Sequence, residues 1–403
     1  MELVTYTLLF VSLYFEVFLL VTFLEKIAYR KHSAASTPQT YPSVAIVVPC
    51  FNEERGLGAT LHSLLALHYP AGKLEVIVVD DGSTDKTFAI ASEFAPQVRV
   101  FRKENGGKHT AMNFALAQTN AELIGCLDAD SVVEPEALLR TARVFEQTEV
   151  SAVTPGIHVR APHTLLQHMQ NVEYRISIFI RFMQAALGSA FVTPGPFSVF
   201  RTSVVRELGG WREGHSTEDM ELALRMQAGG HLIANAPGAV VYTTTPRTFR
   251  ALLRQRVRWT YGFLRNALDY RYMLANRSYG NLGLIVLPLA LVSIFSGIYF
   301  FFSVVFQLTI SLISTYTRVE QTGLLPHPSL ELYYVNTSAM WFLVWVAILF
   351  VVVLICAGSW IGSGSRKPPL STPLFLFFYS FLVPIWLSVA VVRAFFNTGV
   401  RWR

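Results

Sequence analysis

Short apolar runs alternate with helix-like segments along the first third of the chain. The runs typical of buried strands lie at 44–49, 74–79, 98–101 and 123–127. Segments with a helical spacing of apolar residues lie between them, at 53–67, 86–94 and 108–117. This alternation predicts parallel strands joined by right-handed crossovers, and such sheets bind ligands at the carboxyl ends of their strands.

Longer apolar stretches lie towards both ends of the chain. Residues 3–25 form the first, and three more lie near 282–313, 333–356 and 371–396. Each is long enough to cross a membrane as a helix. Basic residues follow the first stretch, so the positive-inside rule places the amino terminus outside and the next segment in the cytoplasm. The pattern predicts a multi-pass protein of the cell (inner or plasma) membrane, whose last stretch is either a full span or a re-entrant segment.

Between these regions the pattern is less regular. From about residue 135 to 245 it predicts a helix near 163–187 and another that opens at Thr217. The segment 248–272 is amphipathic and rich in basic and aromatic residues. We therefore divide the chain into an N-terminal transmembrane helix, a cytosolic domain, an amphipathic interface helix and a C-terminal membrane region of about three spans, with bounds at 1–30, 31–245, 246–275 and 276–403.

The composition agrees with a membrane protein. Of the 403 residues, 52% are hydrophobic and 15% are charged, whereas about a quarter are charged in a typical soluble protein. Basic clusters at 26–31, 247–258 and 393–403 lie beside apolar segments, where they suit anionic lipid headgroups or a phosphate-bearing substrate. No nucleic-acid-binding motif is found, so we expect no nucleic-acid partner. The three cysteines lack metal-site spacing and predict no disulfide framework.

Polar side chains follow three of the predicted strands. Asp128 and Asp130 come after the fourth strand and can hold a divalent cation that also contacts a diphosphate, unless they only cap a loop. Asp80 and Asp81 come after the second strand and can accept hydrogen bonds from a uracil edge or ribose hydroxyls, unless they only shape a turn and a helix cap. Asn52 follows the first strand. We expect these side chains at one edge of the sheet.

Two other features indicate phosphate binding and acid–base chemistry. Lys108 follows two glycines and either reaches a phosphate or simply begins a helix. Glu218 and Asp219 follow Thr217 and either supply a general base for a sugar hydroxyl or stabilise a helix N-terminus through its dipole; both roles are compatible.

The amphipathic segment has two distinct faces. Gln255, Arg258 and Trp259 stand at i, i+3 and i+4 and therefore share one helix face. That face offers an amide, a cation and a flat indole to a bound molecule, unless the segment is an ordinary amphipathic helix with a basic rim. Apolar residues gather on the other side: Phe249, Leu252, Leu253, Val257, Phe263 and Leu264.

Together these motifs resemble the membrane-integrated family 2 glycosyltransferases, which include the synthases of cellulose, chitin, hyaluronan and poly-N-acetylglucosamine. The resemblance covers roughly residues 42–270 and the flanking spans, and the Thr-Glu-Asp and Gln-Arg-x-Arg-Trp motifs together look most similar to poly-β-1,6-N-acetylglucosamine synthases. It implies an α/β GT-A-like (Rossmann-type) cytosolic domain and an α-helical transmembrane region. The motifs that carry it occur in a fixed order, at 49–54, 80–83, 107–108, 128–130, 217–219 and 255–259.

The resemblance also implies a role for each motif residue. The metal, Mg²⁺ or Mn²⁺, would be held by Asp128 and Asp130, and Asp219 would be the catalytic base. The nucleotide would be bound by Asn52, Glu53, Asp80, Asp81, Lys108 and Asp128. The diphosphate and the acceptor would be contacted by Glu218, Gln255, Arg258 and Trp259.

The implied reaction is the inverting transfer of a sugar from a UDP-sugar, expected to be UDP-GlcNAc, to a growing β-linked polysaccharide that passes through the enzyme's own spans. The alternative is a non-processive transferase that adds one sugar to a lipid acceptor. Four spans are few for a polymer channel, which favours a lipid acceptor, a homo-oligomer or a small partner subunit. Thr260-Tyr261-Gly262 follows Trp259 where those synthases usually have Ala-Gln-Gly, so the sugar and the linkage stay open.

Overall fold

A single mixed sheet organises the soluble part of the chain. The computed structural model describes residues 2–30, 39–324 and 339–399. The sheet has eight strands in the order β3-β2-β1-β4-β7-β6-β8-β5. These strands are β1 (Val44–Cys50), β2 (Leu74–Asp80), β3 (Arg99–Arg102), β4 (Leu123–Cys126), β5 (Ser131–Val133), β6 (Val150–Val159), β7 (Ser198–Arg201) and β8 (Leu232–Thr243).

The first four strands form the parallel half of the sheet that the apolar runs predict. β1 pairs with β2 and β4 on its two sides, and β3 pairs with β2, all in parallel. β1 is fully buried from Val44 to Val48, because helices cover both faces of the sheet. The connecting helices are α2 (Leu57–Leu65), α3 (Thr87–Ser92) and α4 (Lys108–Gln118). The predicted starts of α2 and α3 are therefore too early, since polar loops at the strand ends precede both helices.

The other four strands were not predicted. β7 pairs antiparallel with β4 and β6, β5 pairs antiparallel with β8, and β6 pairs in parallel with β8. β5 and β7 have three and four residues, which is too short for an alternating pattern to emerge. All ten residues of β6 are buried, including Ser151, Thr154 and His158, so polar residues interrupt its apolar run. The mixed sheet thus extends the predicted parallel sheet.

Helices cover both faces of the sheet and enclose two apolar cores. One core includes Ile46, Leu61 and Val78, and the other includes Val47, Ile77 and Met112. The remaining helices of this part of the chain are α5 (Ala137–Val144), α6 (Leu165–Ala186), α7 (Thr202–Glu207), α8 (Glu218–Ala228) and α9 (Phe249–Asp269). The predicted helices at 163–187 and 248–272, and the one that opens at Thr217, correspond to α6, α9 and α8.

Within the described part of the chain, four helices are long and apolar enough to cross a membrane, as predicted. They are α10 (Leu282–Thr322), α11 (Ala339–Ser363), α12 (Thr372–Phe395) and, at the amino terminus, α1 (Glu2–Arg30), of which Glu2–Ile27 is the candidate span. Parts of three predicted segments lie outside the described residues: the linker and basic cluster at 31–38, the start of the third stretch at 333–338 and the basic end at 400–403.

Two amphipathic helices join the sheet to these apolar helices. Ile178 and Phe179 of α6 pack with residues of α1 and α11, and Leu252 and Val257 of α9 pack with residues of α12. Both helices therefore lie between the soluble part and the candidate membrane region. Phe249 lies at the first position of α9 and is 40% exposed, so it contributes less to the packed face than Leu252 and Val257 do.

Candidate active site

The carboxyl ends of β1 and β2 form one side of a polar cleft. Asp80 is fully buried, accepts a hydrogen bond from the Ser83 amide and lies 3.2 Å from Arg102 Nε. Asn52 has φ of 57° and accepts a hydrogen bond from the Thr84 amide. The bond between Asn52 and Thr84 ties the loops after β1 and β2 together. The turn expected as the alternative for Asp80 is present, because Asp80 accepts the Ser83 amide three residues on.

Asp81 organises the glycine loop that precedes α4. Its carboxylate accepts hydrogen bonds from the amides of Gly106 and Gly107 at 3.1 and 2.8 Å and from Lys103 Nζ at 2.6 Å. Gly107 has φ of 89°, a left-handed conformation that favours glycine. The loop then delivers Lys108 as the first residue of α4. Asp81 thus has a structural role that the sequence pattern does not reveal.

Lys108 lines the cleft together with Gly195, Glu218 and Asp219. Its Nζ is 2.6 Å from Asp128 Oδ1 and 3.2 Å from Glu218 Oε1. Burial alone would lower the pKa of Lys108, but the carboxylates of Asp128, Glu218 and Asp219 raise it above its usual value. The ammonium therefore stays charged and joins the strand-end carboxylates to the acidic start of α8. The sequence left two roles open for Lys108, and the structure shows the second of them, since Lys108 begins α4; its contact with a phosphate stays a prediction.

Asp128 and Asp130 follow β4 with the backbone of Ala129 between them. Gly56 of the opposite loop packs against this backbone, and a Cβ there would lie 2.7 Å from the Ala129 carbonyl oxygen. Burial, together with the carboxylates of Asp128 and Glu53, raises the pKa of Asp130 to about 7. Such crowding of negative charge is relieved by a bound cation.

Asp128 and Asp130 could bind a divalent metal ion only if a substrate completes the coordination shell of the ion. Asp128 and Asp130 supply two hard oxygen ligands. Within the described part of the chain, no group of three or more His, Cys, Asp or Glu side chains could hold a metal ion by itself. The remaining ligands would have to come from a diphosphate and water, which is the usual arrangement for Mg²⁺ bound with a nucleotide.

Asp219 lies in the first turn of α8. Its Oδ1 accepts a hydrogen bond from the Met220 amide, and its carbonyl oxygen accepts one from Thr193 Oγ1 at 2.7 Å. Burial and the neighbouring Glu218 raise the pKa of Asp219 to about 6, although Lys108 and Arg258 oppose that shift. A carboxylate with a pKa near neutrality is suited to accept a proton from a substrate hydroxyl.

The loop before α8 is fixed by residues of α9. Gly214, His215 and Ser216 all have positive φ, of 55°, 53° and 65°. Asn266 donates hydrogen bonds from Nδ2 to the Gly214 carbonyl and to Thr217 Oγ1, at 3.0 and 2.9 Å. This strained backbone leads directly into Glu218 and Asp219, so α9 determines where the acidic residues lie. Sequence reasoning missed Asn266, although it lies seven positions after Trp259 on the same helix.

Arg258, on the predicted polar face of α9, contacts the loop before α8. Arg258 Nη1 donates a hydrogen bond to the Ser216 carbonyl at 2.9 Å. Burial lowers the pKa of Arg258. The nearby carboxylates of Glu218, Asp219 and Asp128 partly oppose that shift. Gln255 Oε1 is buried without a hydrogen-bond partner among the described residues. Trp259 is 36% exposed.

Two residues that the sequence did not single out complete the cleft. Gly195 lies against Asp128, and a Cβ at this position would come within 2.7 Å of the carboxylate and 2.4 Å of Lys108 Nζ. Arg256 stacks on Trp259, with Cζ 4.3 Å from the ring centroid. The i, i+3 spacing of Arg256 and Trp259 could have indicated that contact, but no local pattern indicates the position of Gly195.

The sequence and the fold identify the family. Residues 42–262, more than half of the chain, match the model described as glycosyltransferase like family 2, and the chain belongs to this family. This confirms the resemblance found in the motifs.

Curated relatives are named poly-β-1,6-N-acetyl-D-glucosamine synthases. The protein of Staphylococcus epidermidis is 31% identical over 232 residues, which cover 56% of each chain. That of Staphylococcus aureus (strain COL) is 30% identical over 224 residues, which cover 54% of each chain. The chain thus spans about half the length of the curated relatives it matches.

A solved structure shows the same fold. It is a mannosyltransferase of Pyrobaculum calidifontis in complex with GDP-mannose and Mn²⁺, with a TM-score of 0.59 and 18% identity over 96% of this chain and 100% of that one. The predicted GT-A-like fold, a mixed sheet with surrounding helices, is confirmed.

Proposed function

We propose that the chain is an inverting glycosyltransferase that transfers GlcNAc from UDP-GlcNAc to a growing β-linked polysaccharide. The observation that carries the proposal is the position of Asp219, a carboxylate whose pKa is raised to about 6 and which lies beside Lys108 and Arg258. The names of the curated relatives support GlcNAc as the sugar. The lipid-acceptor alternative has no specific support in the cleft.

The donor would bind along the strand-end loops. Asn52, Glu53, Asp80 and Asp81 would contact the uridine, and Lys108 would neutralise charge near the diphosphate. Asp128 and Asp130 would hold Mg²⁺ or Mn²⁺, which when bound stabilises negative charge on the diphosphate. Ordered loops support this assignment, because they lose little conformational freedom when a nucleotide binds.

The acceptor would be activated by Asp219. Its carboxylate accepts the proton of an acceptor hydroxyl as that oxygen attacks the anomeric carbon of GlcNAc from the face opposite UDP. The new C–O bond forms as the bond to the diphosphate breaks, so the α-linked donor yields a β-linked product. Asp219 is then protonated and returns the proton to water.

The face of α9 would assist both partners. Arg258 and Gln255 would contact the leaving diphosphate, where Arg258 stabilises charge that grows in the transition state, and Glu218 would lie towards the acceptor. Trp259 would stack on the acceptor sugar, whose C–H face packs well on an indole. The partly exposed indole and the unsatisfied Gln255 Oε1 support these roles.

The cellular arrangement follows from the apolar helices. We propose a multi-pass protein of the cell membrane with the catalytic domain in the cytoplasm and the four-part domain division given above. The four candidate spans and the basic residues after the first support this topology. Passage of the product through the spans, with or without a homo-oligomer or small subunit, is part of the same proposal.

A donor screen with product sizing tests the proposal. Purified full-length protein is supplied in turn with UDP-GlcNAc, UDP-Glc and UDP-GlcA in the presence of Mg²⁺ or Mn²⁺. We expect polymer only from UDP-GlcNAc, and a loss of about 10²–10⁴-fold in turnover for Asp219→Asn. Glu207→Gln, an exposed acid on α7, is the matched control and should leave turnover unchanged. A product with one added sugar per acceptor would replace the processive proposal with the lipid transferase.

A further inference from the structure

Arg256 occupies a buried site between three helices. It is 4% exposed, and its Nη2 lies 2.5 Å from Oε2 of Glu173 on α6. The same Glu173 oxygen accepts a hydrogen bond of 2.7 Å from the hydroxyl of Tyr379 on α12. One carboxylate oxygen thus joins a catalytic-domain helix, the interface helix and the last apolar helix.

The other side of the guanidinium covers the indole of Trp259. Arg256 Cζ lies 4.3 Å from the ring centroid, which is a cation–π distance. Because the two residues stand at i and i+3 on α9, the stack is compatible with regular helix geometry. Burial alone would lower the pKa of Arg256, but Glu173 and Tyr379 raise it, so the cation that stacks on Trp259 stays charged.

Tyr379, the residue of α12 that contacts Glu173, is closely packed. Tyr379 is 2% exposed and ends a π-helical turn, Phe375–Tyr379. Its ring stacks on Phe375 at 4.9 Å and meets Trp386 edge to face at 5.5 Å. Short π-helical turns inside α-helices are frequent at functional sites. Here the turn directs the hydroxyl towards Glu173.

We infer that Arg256 is the positioning residue of the acceptor platform: it holds the indole of Trp259 in one orientation and, through Glu173 and Tyr379, ties that orientation to α12. The inference rests on the proposed function, because it assigns Trp259 to the acceptor sugar. The inference gives the two arginines of the motif different roles. Arg258 contacts the acidic residues and the leaving group, whereas Arg256 positions the side chain that binds the acceptor. A movement of α12 would therefore reach the acceptor without displacing the donor loops.

Kinetics with a titrated acceptor test this assignment. The full-length protein receives saturating UDP-GlcNAc and increasing amounts of a short β-linked GlcNAc oligosaccharide, and in a second series saturating oligosaccharide and increasing UDP-GlcNAc. For Arg256→Lys, which keeps the charge but loses the planar group, we expect the acceptor KM to rise about tenfold, equivalent to about 1.4 kcal/mol, with the donor KM unchanged. Tyr379→Phe should shift the acceptor KM in the same direction by less. Arg254→Gln, an exposed arginine on the same helix, is the matched control and should behave as wild type.

A double variant without either charge distinguishes a loss of positioning from a loss of folding. Arg256→Gln alone leaves Glu173 without its cation, so a loss of folded protein would be ambiguous. The double variant Arg256→Gln/Glu173→Gln removes both charges, and we expect it to fold and to retain the acceptor KM defect. Adding Arg256→Lys to Trp259→Ala should raise the acceptor KM no further than Trp259→Ala alone. Equal rises of donor and acceptor KM, or additive effects with Trp259→Ala, would overturn the inference.

A measurement without turnover keeps the inference separate from the proposed function. Acrylamide quenching of Trp259 is measured as a difference. For the wild type and for each variant, the emission of the same protein with Trp259→Phe added is subtracted, which leaves the signal of Trp259. We expect this quenching to increase in Arg256→Lys and in the double variant, and to stay unchanged in Arg254→Gln. Unchanged quenching in the Arg256 variants would overturn the inference. If the wild type transfers no sugar but quenching increases as expected, the proposed function fails and the Arg256–Trp259 contact stands.

Discussion

Gly262 lets α9 approach the loop that leads into Glu218 and Asp219, and alanine at position 262 should push the helix and the loop apart. A Cβ at Gly262 would lie 2.3 Å from Thr217 Oγ1 and 2.5 Å from its Cγ2. Thr217 is 3% exposed and directly precedes Glu218 and Asp219, so it cannot turn away from the new methyl group. The clash therefore falls two residues from the proposed base.

Two opposing contributions determine how much Gly262→Ala changes the free energy of unfolding. Replacing glycine by alanine inside a helix gains up to about 1 kcal/mol from helix propensity, whereas overpacking a tight contact costs about 1–3 kcal/mol. At Gly262 the contact is far below the ordinary separation, so we expect a net destabilisation of about 1–2 kcal/mol. A displacement of Asp219 by about 1 Å would in addition reduce turnover about 10²-fold.

The assay compares two glycines in helices. Gly58 lies in α2 with nothing within 4 Å of a Cβ, so Gly58→Ala shows the propensity gain alone and should stabilise the protein. Thermal unfolding in detergent and turnover with UDP-GlcNAc are measured for both variants. Adding Thr217→Ala to Gly262→Ala removes the two closest atoms and should recover part of the lost stability. If Gly262→Ala is as stable and as active as the wild type, the close packing of α9 on the loop is refuted.

Three further predictions concern the cleft. Since Asp219 must be ionised to act as a base and its pKa is raised to about 6, kcat/KM should be constant above that pH and fall with decreasing pH below it; a pH profile with a flat acid limb would contradict the role. Chelation of divalent cations should abolish transfer, and Mn²⁺ or Mg²⁺ should restore it in the wild type but not in Asp130→Asn, as measured by UDP release. Arg258→Gln should reduce turnover strongly and Arg250→Gln, exposed on the same helix, should reduce it little; equal losses would refute the assigned face of α9.

The parallel half of the sheet could be predicted because β1, β2 and β4 are largely buried apolar runs that are followed by polar residues. The antiparallel half could not, since β5 and β7 are too short and β6 carries buried polar residues. The four apolar helices were predictable from length and hydropathy alone, which is all that a helix in lipid requires.

Part of the candidate site could likewise be predicted from the sequence, and part could not. Gln255, Arg258 and Trp259 could be placed on one face by helical spacing. The partners of Lys108, however, come from β4 and α8, and those of Arg256 from α6 and α12. Such contacts between distant segments depend on how the helices pack, and no local pattern records them. For the same reason the structural role of Asp81 in the glycine loop emerged only from the fold.

The configuration of the new glycosidic bond tests the central claim most directly. Protein supplied with UDP-GlcNAc carrying ¹³C at the anomeric carbon gives a product whose anomeric proton coupling is read by NMR. We predict a β-linked GlcNAc product in the wild type and, over the same reaction time, at least about 10²-fold less of it in Asp219→Asn. An α-linked product, or release of UDP without any new glycosidic bond, would contradict an inverting transfer with Asp219 as base.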